Sequence, residues 1–102
     1  MNDIDCKELI KRLSDGDNPI IIDVRECWEY EEGNLGAINI SLYDLPFRLD
    51  EIENLKDVEI ILHCKTGPRS QKAKKFLQTQ GFTQCRCLEG GIENYWQLLD
   101  VD

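Results

Sequence analysis

One cysteine stands in a setting suited to nucleophilic chemistry. Cys64 opens the run Cys64-Lys65-Thr66-Gly67-Pro68-Arg69-Ser70, directly after His63. An apolar strand-like run, Val58-Glu59-Ile60-Ile61-Leu62, feeds into it, and a helix-like run, Ser70 to Gln80, leaves it. A helix N-terminus projects about half a positive charge and several free N–H groups. Successive loop N–H groups, with Gly67 to permit tight curvature, form an anion-binding nest. Lys65 and Arg69 add two formal charges. Together these features favour a thiolate over a thiol at Cys64, and hence a nucleophile at neutral pH. The same loop suits a bound anion.

The elements around the loop are legible from pattern. Asp5-Cys6-Lys7-Glu8 reads as a capping box, with Asp5 as the cap and Glu8 reaching back. Leu9, Ile10 and Leu13 continue as a helical stripe that ends near Ser14-Asp15-Gly16. Ile20-Ile21-Ile22 is a β-branched run typical of a strand buried on both faces, ending at Asp23-Val24-Arg25. Glu26 to Glu32 is helix-compatible, Ala37 to Ile40 a short strand, and Leu45 to Ile52 a helix with Asp44 as its cap and Pro46 in its first turn. Ala73, Phe76 and Leu77 face inward from the helix after Cys64, which Gly81 stops. Gln84 to Leu88 is a strand, and Ile92 to Leu99 a last helix carrying Tyr95 and Trp96. Alternating strands and helices imply an α/β fold with a mostly parallel sheet. Ligands bind beyond the carboxyl ends of such strands, where Cys64 falls.

Composition narrows the function further. The 102 residues suffice for one domain, Met1 to Asp102, with one core. A net charge of -8 repels phosphate backbones and argues against nucleic acid. No apolar run approaches the ~18 residues of a membrane span, and the acidic N-terminus lacks a signal peptide's pattern. These features predict a cytoplasmic protein, and the size suits a monomer. Lys65, Arg69, Lys72, Lys74 and Lys75 fall within eleven residues. They form either a solvated helix face or a positive field around an anionic substrate.

Cys6, Cys27, Cys85 and Cys87 read as small, partly buried hydrophobes in a reducing compartment. An odd count at irregular spacing is no disulfide framework. Cys85 and Cys87 share one strand face, but His63 is the only histidine and no second ligand pair completes a metal site.

The run Cys64 to Ser70 resembles the active-site loop of rhodanese-like sulfurtransferases. Ile21-Ile22-Asp23-Val24-Arg25, Glu29-Tyr30 and Gly33-Asn34-Leu35-Gly36-Ala37-Ile38-Asn39-Ile40 are similar to that family's N-terminal motif. Leu88-Glu89-Gly90-Gly91-Ile92, with Trp96 after it, is similar to its C-terminal one. The resemblance implies a three-layer α/β fold, with a mostly parallel five-stranded sheet and helices on both faces. It also implies sulfur transfer without metal or cofactor. On this resemblance Cys64 would attack a sulfane sulfur, for example of thiosulfate, and become a persulfide. The loop from Lys65 through Thr66, Gly67, Pro68 and Arg69 to Ser70 would cradle the outer sulfur with its N–H groups, Arg69 would brace the loop, and Lys65 would attract the anionic donor. A thiol, cyanide or a sulfur-accepting protein then takes the sulfur. Asp23 and Arg25 are scaffold.

Asn34 stands where the family often has histidine. Pro68 removes one N–H from the cradle and fixes one φ angle, which either stiffens the loop or weakens the cradle. Gly-Asn-Leu-Gly, Leu45-Pro46-Phe47-Arg48-Leu49 and Tyr95-Trp96-Gln97-Leu98-Leu99-Asp100 resemble rhodanese domains fused to ubiquitin-like activating enzymes, which deliver sulfur to small carrier proteins. Two other readings remain beside sulfur transfer. Cys64 to Arg69 is similar to the phosphatase loop, but four residues separate the two here against five there, and the count also disfavours arsenate reductases. An activated cysteine also suits a non-catalytic binding or redox-sensing module.

Overall fold

The computed structural model describes residues 1–100. Its sheet contains four parallel strands: β1 (Ile20–Asp23), β2 (Ile38–Asn39), β3 (Ile60–His63) and β4 (Cys85–Cys87), in the spatial order β2-β1-β3-β4. Four helices accompany them: α1 (Cys6–Ser14), α2 (Cys27–Glu32), α3 (Pro68–Thr79) and α4 (Gly91–Leu99). Because the strands are parallel, the chain leaves all of them at the same edge. That edge collects the segments after β1, β2, β3 and β4.

β1 and β3 form the centre, with Ile20 beside Ile60, Ile21 beside Ile61 and Ile22 beside Leu62. Alternate side chains point to opposite faces. Ile21 and Ile61 therefore join Ile4, Leu9, Leu88 and Tyr95 in one apolar layer under α1 and α4. Ile22, Ile60 and Leu62 join Leu45, Ile52, Ala73 and Leu77 in the other, under α3 and the segment before β3. Each buried aliphatic side chain contributes about 1.5–3 kcal/mol relative to exposure. A continuous Ile/Leu run covered on both faces thus makes β3 the most firmly fixed strand, and Cys64 follows it directly.

Three details differ from the sequence expectation. The sheet has four strands among the described residues, not five. At the outer edge of β4 only Ile4 forms a parallel bridge, to Leu88. Ile4 N–H donates to Cys87 O (3.0 Å) and its carbonyl accepts from Glu89 N–H (2.9 Å). The side chain of Asp3 occupies Cys87 N–H (2.9 Å), and α1 starts at Cys6, so no length remains for a strand. Leu45 to Ile52 is not an α-helix but two 3-10 turns, Leu45–Phe47 and Leu49–Leu55. Asp44 is already helical and caps nothing with its side chain; the Asp44 and Leu45 N–H groups both donate to Ser41 O at 3.0 Å. Finally, the box at α1 is half-made. Asp5 Oδ1 accepts from Glu8 N–H (2.7 Å), while the Glu8 carboxylate accepts instead from Arg86 (3.2 Å).

The cap itself is intact. Asp5→Ala is expected to cost about 1 kcal/mol, read as a lower midpoint in urea unfolding. An unchanged midpoint would show that Ile4 and Cys6, not the cap, start α1.

Candidate active site

Cys64 lies one residue beyond β3 and is 1% exposed. The Gly67 N–H donates to its Sγ at 3.1 Å and the Ser70 N–H at 3.4 Å. The Ser70 hydroxyl lies 3.7 Å from Sγ and is turned towards Gly67 O, to which it donates at 2.9 Å. Gly67 makes this turn at φ +138°, a region that side-chain-bearing residues avoid. α3 then begins at Pro68, two residues earlier than the apolar pattern suggests. A first helical position has no intrahelical use for an N–H, so Pro68 costs the helix no bond and presets its φ. The sulfur therefore faces two N–H groups and the positive end of a twelve-residue helix. The Lys65 and Thr66 N–H groups, also in this loop, donate to no acceptor among the described residues.

The back of the loop is fastened to α4. Cys64 O accepts from Ile92 N–H (3.0 Å) and Lys65 O from Glu93 N–H (3.1 Å). Gly91, at φ +65°, passes so close that a Cβ there would meet Lys65 O at 2.3 Å. This close approach is the physical reason for glycine at Gly91.

The cations divide differently from the expectation. Arg69 does not add a free charge beside the sulfur. Its guanidinium grips Glu29 of α2 in a two-pronged pair, with Nη2 donating to Oε2 at 2.9 Å. Arg69 holds the Glu29 carboxyl far below its ordinary value, at about 2, against a smaller opposing effect of burial. Glu29 also accepts from Glu26 N–H (3.0 Å), so the start of α2 and the start of α3 are tied together. Lys74 is engaged by Asp3 (2.8 Å) and anchors the N-terminal segment. Lys65, Lys72 and Lys75 are exposed and form no ion pair among the described residues.

Beneath the loop, Asp23 and Arg25 form a buried pair, with Nη2 at 2.8 Å from Oδ2, and Arg25 also donates to Gly33 O (2.8 Å). His63 is fully buried, its Nε2 3.6 Å from Asp23 Oδ2. Burial pushes its pKa down against the opposing pull of Asp23. The other four cysteines are all shifted towards the neutral thiol. Burial pushes Cys87 up to about 12 and raises Cys6 and Cys85; Glu31 raises exposed Cys27. Cys87 spends its thiol on Ser70 O at 3.2 Å.

From Cys64 to Ser70 every residue predicted from sequence lies in this one loop and helix start. Cys64, Gly67 and Ser70 converge on the sulfur, Pro68 and Arg69 shape the turn, and Lys65 and Thr66 are exposed on its rim. Glu29 as the partner of Arg69, and Gly91 as the backstop, were not foreseen as site residues. The signal for Glu29 was an acidic residue in the N-terminal motif. The signal for Gly91 was a pair of glycines where β4 meets α4.

Residues 5–98 match the model of the Rhodanese-like domain, and the chain belongs to that family. It is 32% identical over 93 residues to a sulfurtransferase of Allochromatium vinosum, covering 90% of this chain and 85% of that protein. It is 33% identical over 89 residues to a tRNA uridine(34) hydroxylase of Cytophaga hutchinsonii, covering 83% of this chain but 28% of that protein. A rhodanese-related protein of Thermoplasma volcanium has the same fold, with a TM-score of 0.82 and 26% identity over 96% of this chain and 93% of that one. The fold is therefore rhodanese-like α/β, with four strands among the described residues where five were expected. No helix among the described residues is long and apolar enough to cross a membrane.

Proposed function

We propose that the protein is a sulfurtransferase that carries sulfane sulfur as a persulfide on Cys64. The donor is a small anion such as thiosulfate, and the acceptor a thiol, cyanide or a sulfur-carrier protein. The observation that carries this reading is the convergence of the Gly67 and Ser70 N–H groups on a buried Sγ. The Cys64 thiolate attacks the outer sulfur of thiosulfate; the S–S bond between that sulfur and the central, oxygen-bearing sulfur breaks, and sulfite leaves with the electron pair. An acceptor thiol then attacks the outer sulfur of the persulfide and takes it, and the Cys64 thiolate is regenerated. Loop N–H groups hold the anionic sulfur between the two steps. Lys65 on the rim offers the approaching donor its one unpaired charge within the loop. The phosphatase reading is weakened by Arg69, whose guanidinium is committed to Glu29.

The test is incubation with thiosulfate followed by intact mass. The expected result is a gain of one sulfur, removed by dithiothreitol and absent in Cys64→Ser. The other four cysteines are shifted towards the thiol, so the adduct is expected on Cys64 alone. A wild-type protein that takes up no sulfur and hydrolyses an aryl phosphate would sink the reading.

A further inference from the structure

Beside the loop lies a groove of about 280 Å³ between α2 and α4, close to the lower end of small-molecule sites. Trp28 and Trp96 form its walls, Ile92 and Arg25 contribute to its lining, and Lys65 joins it to the active-site loop. Trp96 is fixed in place: its ring packs against Gly33, and the Arg25 guanidinium sits 6.0 Å from its centroid. The groove is contiguous with the nucleophile's own loop, because Ile92 N–H is bonded to Cys64 O.

The charges lining this groove are not equivalent. Arg25 is spent on Asp23, and Glu29 on Arg69. Glu32 and Glu93 line the same space, are exposed, and form no ion pair among the described residues. The groove therefore offers two free carboxylates and two indole rings, the combination that attracts an organic cation. Lys65 alone carries free positive charge, on the loop side.

From this we infer that the groove is the acceptor subsite and selects thiols that carry a cationic head, with Glu32 and Glu93 as the specificity-determining residues. The inference rests on the sulfur-transfer reading and adds to it a division of labour. A donor anion meets Lys65 and the loop N–H groups; an acceptor's ammonium meets Glu32, Glu93 and the indoles. Donor and acceptor react at one sulfur in separate steps, and walls of opposite charge keep them from competing for one binding surface. In the acceptor step the acceptor's thiolate bonds to the outer sulfur, the S–S bond to Cys64 breaks, the Cys64 sulfur leaves as thiolate with that electron pair, and the proton the acceptor thiol lost on ionising goes to the new persulfide.

The experiment compares three small thiols that differ in charge, cysteamine, 2-mercaptoethanol and 3-mercaptopropionate, at equal thiolate concentration, acting on thiosulfate-loaded protein. The cationic thiol is expected to take sulfur about tenfold faster than the neutral one at low salt, and the anionic thiol to be slowest. In Glu32→Gln/Glu93→Gln the cysteamine-to-mercaptoethanol ratio should fall towards one. In Asp50→Asn/Asp57→Asn, which removes the same charge elsewhere on the surface, the ratio should persist. Equal loss in both variants would assign the preference to net charge and overturn the subsite. So would three equal rates in the wild type.

A binding measurement separates this failure from failure of sulfur transfer itself. On unloaded protein, 2-(methylthio)ethylamine should change the tryptophan fluorescence saturably, and 3-(methylthio)propionate should not. That result stands even where no persulfide forms. Its absence, or an equal response to both compounds, counts against the groove.

Discussion

Gly91→Ala is expected to destabilise the protein by about 2–5 kcal/mol and to abolish most sulfur uptake at temperatures where the variant is still folded. Two effects combine. A positive φ costs a residue with a Cβ on the order of 1 kcal/mol. Overpacking adds about 1–3 kcal/mol or more, and here the obstruction is severe. The new Cβ would stand 2.3 Å from Lys65 O, 2.5 Å from Lys65 C and 2.7 Å from Thr66 N, all backbone atoms with no rotamer to yield. Either the loop moves off α4, breaking the Ile92-to-Cys64 and Glu93-to-Lys65 bonds, or α4 moves and pulls the loop with it. Both displace the groups that converge on Sγ.

Gly16→Ala separates the two effects, since Gly16 has φ +86° and open space around it. It should cost only the conformational part, about 1 kcal/mol, and leave sulfur uptake as in the wild type. Urea unfolding with intact-mass measurement of sulfur uptake reads both quantities. Equal costs for the two variants would mean that the close approach at Gly91 relaxes freely and contributes nothing to the loop.

Much of the site was legible because it is local. The β-branched and leucine run of β3, the cysteine, Gly67 and the helix after it are contiguous, and each follows a short-range rule. The start of α3 moved to Pro68 because Gly67 takes the strained turn and proline tolerates the next position. What was not legible depends on residues brought together by packing. Arg69 and Glu29 are 40 positions apart, and nothing in their spacing says that α2 presents Glu29 to the loop. From sequence Arg69 read as a second formal charge near the sulfur and, by resemblance, as a brace of the loop; what the sequence did not name is its partner, Glu29. Likewise Lys74 read as part of a solvated helix face or of a positive field, and is a tether for Asp3. The fifth strand failed for a local reason: Asp3 and Asp5 use their side chains on Cys87 N–H and Glu8 N–H, leaving Ile4 a single bridge. The groove with Glu32 and Glu93 exists only once α2 and α4 are side by side.

The Glu29–Arg69 strut leads to the second large effect. Arg69→Ala and Glu29→Gln are each expected to slow sulfur transfer about 10- to 100-fold, because a displacement near 1 Å at the reacting atom has that scale. The loss in stability should be smaller, about 1–2 kcal/mol, since the side chains are 30% and 11% exposed and water screens part of the pair. The double variant should be little worse than either single one, as the two residues act as one unit. Additive losses would mean that Arg69 touches substrate independently of Glu29.

The pH dependence tests the strut from another side. Arg69 lowers the folded carboxyl to about 2, below its ordinary value of 4.5. A group depressed on folding contributes stability that is complete above its unfolded pKa and lost as pH falls through its folded one. The stability gap between wild type and Glu29→Gln should therefore be constant above about pH 4.5 and narrow from there towards pH 2. Urea unfolding at a series of pH values measures the gap. A gap that keeps its full size down to pH 2 would remove the Glu29 charge from the account, leaving Arg69 held by geometry alone.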